Sequence, residues 1–187
     1  MKNIQKYLIL HTSDVLESRL YNQFNSINTY HRDVRYFPKS SLGYFVGYQY
    51  LITGGKLYQC RLDTDEGAHC NAQVEGLSMN FQSIGICWGG DGDLELPSQT
   101  HRKLLADLIK QKMKEYNIPR ERVKFHRDYT PSKTCPGTLF TQTYLDSLLY
   151  EQPPTPEKII KVNNITANST VSWDVILRFI AFLKTLK

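Results

Sequence analysis

Long apolar runs are missing from this sequence. Near the N-terminus the apolar stretch covers only Tyr7–Leu10, whereas a membrane-spanning helix needs about 20 such residues. A secretory signal needs an apolar region of about 7–15 residues. The sequence therefore predicts no transmembrane helix and no signal peptide, and we expect the protein to be made and folded in the cytoplasm.

Dense basic runs and Cys-x-x-Cys pairs are also missing. The 23 Lys and Arg residues against 18 Asp and Glu give a net charge of +5, but no stripe of basic and aromatic residues accompanies it. We therefore expect no nucleic-acid partner. Four cysteines, at positions 60, 70, 87 and 135, are expected to be thiols or metal ligands in a reducing compartment. Whether Cys60 and Cys70 form a disulfide bond outside the cell stays open.

What is present is typical of a globular protein. The chain has 187 residues, of which 41% are apolar and 22% charged. These values exclude collagen-like, disordered and disulfide-knot classes. The length suits one domain with an appendage.

Strand and helix patterns alternate along residues 1–150. Period-2 and period-3.6 patterns, with their turn and capping residues, define the expected elements. Strands are predicted at 6–10, 46–52, 57–62, 83–88 and 123–126, and helices at 14–28, 98–117 and after 137. Gly54-Gly55 suits a tight hairpin turn between the second and third strands. We predict an α/β catalytic domain over residues 1–150, with a central mixed β-sheet flanked by helices.

The composition changes at Glu151. EQPPTPEK contains three of the eight prolines, so residues 151–171 are predicted to be a linker. Residues 172–187, SWDVILRFIAFLKTLK, include ten apolar residues of 16 and predict an amphipathic C-terminal helix. It is too short to span a bilayer. Three interpretations stay open: packing on the domain, self-association, and contact with an anionic membrane surface.

Three residues dominate the chemistry. His11 closes the first predicted strand, His126 closes the last, and Cys135 follows nine residues later. Imidazole and thiolate are preferred ligands of zinc, and three protein ligands leave a fourth position for water, as in catalytic sites. Each residue alone is more often structural than metal-binding.

The surroundings of these residues resemble a known family over about residues 6–145. Five segments occur in the family's order: LILHTSD, NTYHRD, VGYQYLITGGKLYQCR, GAHC followed by NFQSIGICWGG, and KFHRDYTPSKTCPG. Together they resemble the zinc-dependent N-acetylmuramoyl-L-alanine amidases, a group that includes phage lysozyme-type amidases and peptidoglycan recognition proteins.

The resemblance implies roles for individual residues. It places the metal ligands, for a Zn²⁺ cofactor, at His11, His126 and Cys135. It implies catalytic roles for Tyr48 and Lys133, although by pattern alone Tyr48 is one face of a strand and Lys133 a solvated loop residue.

The sequence also predicts the surroundings of several other residues. The resemblance implies substrate binding for His69 and a structural or groove-lining role for His31. We expect His101 to lie on the exposed side of the long helix. Trp88, where the family usually has an aliphatic residue, and the aromatic loop 34–44 are expected to line a substrate groove.

The implied reaction is hydrolysis of the amide between N-acetylmuramic acid and L-alanine. The expected partner is bacterial peptidoglycan. With no signal peptide, the resemblance favours a phage-type endolysin held in the host cytoplasm until lysis and acting afterwards on the wall. Two alternatives stay open: a cytoplasmic amidase that recycles muropeptides, and a non-catalytic peptidoglycan-binding module. Such modules lose the thiolate ligand, whereas this chain keeps Cys135.

Overall fold

The computed structural model describes residues 3–150. The predicted linker at 151–171 and helix at 172–187 lie outside the described residues. No helix within the described range is long and apolar enough to cross a membrane.

The described part is a mixed α/β fold with helices on both faces of a five-stranded sheet, as the sequence predicts. Its strands are β1 (Tyr7–Thr12), β2 (Tyr50–Thr53), β3 (Lys56–Gln59), β4 (Gln73–Val74), β5 (Leu77–Ser78), β6 (Ser83–Trp88) and β7 (Val123–Phe125). Its helices are α1 (Phe24–Asp33), α2 (Met79–Gln82), α3 (Gln99–Glu115) and α4 (Gln142–Tyr150).

The main sheet has the order β3-β2-β6-β1-β7. β1 pairs in parallel with both β6 and β7, β2 pairs in parallel with β6, and β2 and β3 form an antiparallel hairpin. The predicted glycine turn is confirmed, since Gly54 and Gly55 have φ values of 62° and 70°, which glycine adopts without steric cost. β4 and β5 form a separate small hairpin.

Strand alternation divides the sheet into two faces. On one face, Leu8 and Leu10 of β1 and Ile84 and Ile86 of β6 belong to the large core that α3 and α4 complete. On the other face, β1 presents Ile9 and then His11. The register pairs Ile9 with Gly85 and His11 with Cys87. This second face carries the candidate site.

The first helix differs from its prediction. It spans Phe24–Asp33, whereas the apolar spacing predicted residues 14–28. Asp14 has a φ of 57°, which is incompatible with a right-handed helix start. Leu20 is 40% exposed, so the predicted apolar positions do not form a buried stripe.

His101 is buried, so the expectation that it is a surface residue is wrong. Its Nδ1 lies 2.7 Å from Glu17 Oε2, and its Nε2 accepts a hydrogen bond of 2.8 Å from the Gly55 amide. The Trp88 indole donates to the same Glu17 oxygen at 3.1 Å. This network joins the segment after β1, the hairpin turn and the start of α3.

Trp88 also differs from its prediction. Its side chain is 1% exposed and its ring lies 5.7 Å from that of Phe140. Trp88 therefore fills the core under α4 and lines no groove. In the 34–44 loop, by contrast, Val34, Tyr36 and Leu42 are exposed.

Candidate metal and catalytic site

Three potential ligands meet at the carboxyl ends of two neighbouring strands. His11 lies near the end of β1, and His126 directly follows β7. Parallel pairing of β1 with β7 brings both ends to one edge of the sheet. Cys135 reaches the same point from the following loop. One nitrogen from each histidine and the Cys135 sulfur all lie within 4.8 Å of one another, and the three residues are buried.

The loop that carries Cys135 is fixed by Arg127. The Arg127 amide donates to the Cys135 carbonyl at 2.8 Å. Its guanidinium donates to the carbonyls of Thr134 at 3.0 Å and Gly137 at 2.7 Å, and also to that of Phe140. One side chain thus ties down the backbone on both sides of the thiol.

Asp93 holds the same loop from the other side. Its carboxylate accepts hydrogen bonds of 2.5 Å from the Thr134 hydroxyl and 2.7 Å from the Thr138 amide. The loop after β6 also approaches very closely at two glycines. A Cβ on Gly137 would lie 1.9 Å from the carbonyl carbon of Gly92, so only glycine fits there.

The protonation states of the three groups suit metal binding. Burial lowers the pKa of His126 to about 4 and that of His11 well below its usual value, and the nearby Lys133 ammonium lowers both further. Both imidazoles are therefore neutral near pH 7 and keep a lone pair. Burial raises the pKa of the Cys135 thiol to about 11, so a bound metal ion must displace its proton.

These residues fit a zinc ion. Zinc prefers neutral imidazole and thiolate donors, and protein sites with three such ligands leave one tetrahedral position for water or substrate. The mutual separations of at most 4.8 Å are within reach of ligand bonds of about 2.0–2.3 Å with small adjustments.

Tyr48 lies beside this ligand set. Its ring centroid is 5.0 Å from that of His11. It does not lie on a strand, because β2 begins at Tyr50. Tyr48 packs against a cluster that contains Cys87. Burial raises the pKa of its phenol well above the usual value, so the hydroxyl stays protonated and can donate a hydrogen bond.

Lys133 lies on the exposed part of the loop, two residues before Cys135. Its backbone amide donates to the Thr130 carbonyl at 2.9 Å. Its ammonium is close enough to lower the pKa of His11 and His126. The structure thus places a solvent-accessible cation within electrostatic range of the two candidate histidine ligands.

His69 is buried, 8% exposed. Its Nδ1 lies 3.0 Å from His11 Nε2, and burial lowers its pKa to about 3. The structure therefore brings His69 next to the cluster through its contact with the candidate ligand His11. Substrate contact by His69 stays a prediction.

His31 and the three remaining cysteines are buried and lie outside the set of three candidate ligands. His31 is buried, and its Nδ1 accepts a hydrogen bond of 3.1 Å from the Gly47 amide, next to Tyr48. Cys60, Cys70 and Cys87 are buried free thiols, as is Cys135. Cys60 and Cys70 belong to different apolar clusters.

Sequence reasoning missed the residues that hold the Cys135 loop. Arg127 and Asp93 act through backbone carbonyls and hydroxyls, which leave no pattern in one sequence. The sequence shows that positions 92 and 137 are glycines. It does not show that they are in contact, because they lie on two loops far apart in the chain.

Residues 2–138 match the N-acetylmuramoyl-L-alanine amidase family, and the chain belongs to this family. No curated protein matches the chain significantly.

Solved structures show the same fold. The N-acetylmuramoyl-L-alanine amidase LysC from Clostridium intestinale is 22% identical, with a TM-score of 0.61 over 78% of this chain and 85% of that one. Wild-type PGRP-LB from Drosophila is 23% identical, with a TM-score of 0.57 over 79% and 82% of the two chains. Peptidoglycan recognition protein LE, solved in complex with tracheal cytotoxin, is 19% identical with a TM-score of 0.60 over 80% and 86%.

An alanine at position 137 tests how the thiol is positioned. Gly137 and Gly76 both have positive φ, 105° and 76°, so alanine strains the backbone at either position by about 1–2 kcal/mol. Only at Gly137 does the new Cβ also collide with backbone, which adds about 1–3 kcal/mol of overpacking. We expect Gly137→Ala to lower the free energy of unfolding more than Gly76→Ala and to weaken zinc binding.

Thermal unfolding of the metal-free variants and chelator competition measure these two effects. Gly76→Ala serves as the matched control, since a Cβ there meets nothing within 4 Å. Equal melting temperatures and equal zinc affinities for the two variants would contradict the positioning role of the glycine contact.

Proposed function

We propose that this protein is a zinc-dependent hydrolase that cleaves the amide between N-acetylmuramic acid and L-alanine in bacterial peptidoglycan. Membership of the amidase family supports peptidoglycan amidase activity or recognition. The observation that carries the hydrolase proposal is the Cys135 thiol meeting two neutral imidazoles in one buried cluster. Such a donor set holds a metal with one open position, which recognition alone does not require.

The metal site supplies the electrophilic part of the chemistry. Zinc held by His11, His126 and Cys135 would lower the pKa of a coordinated water to about 7 and polarise the substrate carbonyl. The chain's own contribution is to keep both imidazoles neutral, by burial and by the charge of Lys133.

Lys133 and Tyr48 complete the proposed machinery. Amide hydrolysis places negative charge on the former carbonyl oxygen, and the Lys133 ammonium, which acts electrostatically on both histidines, would stabilise that charge. Removing one such donor in other enzymes costs about 10²–10³ in rate. The protonated Tyr48 hydroxyl donates a hydrogen bond to the attacking water or to the same oxygen. A positioned group must also pass a proton to the leaving amine.

Digestion of purified peptidoglycan tests the proposed reaction. Mass spectrometry should find free stem peptides that begin with L-alanine, together with intact glycan strands. Cys135→Ser should abolish this release and still bind peptidoglycan in a sedimentation assay, because it removes only the thiolate. Cys60→Ser is the matched control: it changes another buried thiol, outside the ligand set, and should retain release.

Two results would contradict the proposal. One is a wild-type protein that binds peptidoglycan but releases no stem peptide, as expected of a recognition module. The other is undiminished release by Cys135→Ser.

We further propose that the enzyme acts as an endolysin, from the host cytoplasm outwards to the wall. The support is the similarity to an endolysin amidase from Clostridium intestinale, 21% identical with a TM-score of 0.61, and the cationic, apolar sequence of residues 172–187. Such a segment suits contact with anionic membrane lipids. A muropeptide-recycling amidase has no use for it.

Deletion of residues 151–187 tests this role. We expect unchanged hydrolysis of purified peptidoglycan and slower lysis of intact cells, because the active-site residues all precede residue 151. Turbidity of a cell suspension and release of stem peptides give the two rates. Equal lysis by the full and shortened chains would contradict the role of the C-terminal segment, and absence of lysis by the full chain would favour the recycling alternative.

A further inference from the structure

The two ring nitrogens of His11 face different groups. Nδ1 lies 3.8 Å from Cys135 Sγ, and Nε2 lies 3.0 Å from His69 Nδ1. Zinc–nitrogen and zinc–sulfur bonds of about 2.0 and 2.3 Å at a tetrahedral angle give an N···S separation of about 3.5 Å. A metal ion shared with Cys135 therefore takes Nδ1, since Nε2 is directed at His69.

This arrangement fixes where the protons lie. A ligating Nδ1 has no proton, so the neutral His11 ring carries its proton on Nε2. With the metal ion on Nδ1, this N–H lies 3.0 Å from His69 Nδ1 and would donate a hydrogen bond to it. His69 then accepts at Nδ1 and carries its own proton on the buried Nε2. A hydrogen bond of this kind sets the tautomer and the orientation of a ligating imidazole.

The His69 ring is held by the backbone around it. A Cβ on Gly67 or on Gly85 would lie 2.5 or 2.6 Å from His69 Cδ2, so the ring occupies a slot that two glycines leave open. Gly85 lies on β6 opposite Ile9 of β1, two residues before His11. One wall of the slot thus belongs to the same pair of strands that positions His11.

The main chain at His69 is fixed as well. Asn80 Oδ1 accepts hydrogen bonds from the amide of His69 at 2.7 Å and from that of Cys70 at 2.8 Å. Ring and backbone are therefore both constrained, and only 8% of the residue is exposed. These surroundings suit a group that supports another side chain better than one that meets a substrate.

We propose that His69 is a positioning residue that orients His11 for metal binding. The inference rests on the proposed zinc site and adds to it a residue that holds one ligand. Loss of such a supporting hydrogen bond typically weakens metal affinity by about 10–100-fold.

Two variants of His69 distinguish the effect of its hydrogen bond on zinc affinity from the effect of its side-chain volume. His69→Asn keeps an acceptor, because its Oδ1 occupies about the position of Nδ1. His69→Leu removes the acceptor and keeps a similar volume. In competition with a chelator of known affinity, we expect His69→Leu to bind zinc about 10–100-fold more weakly and His69→Asn to stay within about threefold of the wild type.

His31→Leu is the control for loss of a buried imidazole. His31 is 7% exposed, close to the value for His69, and its Nδ1 bonds to the Gly47 amide instead of a ligand. Its zinc affinity should equal that of the wild type. Wild-type affinity in His69→Leu, or equal losses in His69→Asn and His69→Leu, would overturn the proposal.

A measurement on the unmodified protein avoids any effect of substitution on folding. Long-range ¹H–¹⁵N spectra of the zinc-loaded chain should show His11 with a protonated Nε2 and a metal-bound Nδ1. A metal-bound Nε2 at His11 would overturn the role of His69 and leave the zinc site intact. A wild-type chain that binds no zinc would overturn the proposed function and this inference together.

Discussion

The parallel pairing of β1 with β7 is the constraint on which the candidate site depends. Three residue pairs, from Leu8–Val123 to Leu10–Phe125, set the register of the two strands. The next residue along the chain is in each case a histidine, His11 within β1 and His126 directly after β7. Their side chains meet because the strands end together. A shift of one residue would turn His11 towards the core under α3 and α4.

The apolar side chains that enforce this register lie on the opposite face of the sheet. Leu8, Leu10 and Phe125 are almost fully buried in the main core, and burial of each such side chain contributes about 1.5–3 kcal/mol. The packing that stabilises the domain thus also fixes the geometry of the two imidazoles. Function and stability depend on alternate residues of the same strand.

The third ligand depends on contacts of a different kind. Cys135 follows a loop without regular structure, and its position comes from Arg127, from Asp93 and from the approach of Gly92 to Gly137. Polar contacts to backbone replace strand pairing here. A site built from a rigid strand pair and a pinned loop needs little rearrangement to take up a metal ion.

The sequence predicted the parts that have local patterns. β6 was predicted with its observed bounds, and α3 and the hairpin within a few residues, because apolar periodicity and glycine turns mark them. His11 and His126 were recognisable because each follows an apolar strand. His101 shows a missed signal: it lies four residues before Leu105 on the buried stripe of α3, where helical periodicity predicts burial.

The features that the sequence did not predict depend on distant contacts. Glu17, within the predicted first helix, instead contacts Trp88 and His101, which apolar spacing cannot show. The burial of His69 depends on the missing side chains of Gly67 and Gly85. Both involve segments that meet only in the folded chain.

X-ray absorption at the zinc edge tests whether His11, His126 and Cys135 hold a zinc ion, as we propose. The protein purified without added chelator should contain about one zinc ion per chain, bound by two nitrogen donors, one sulfur and one oxygen. A chain without stoichiometric zinc, or zinc bound without sulfur, would contradict the account.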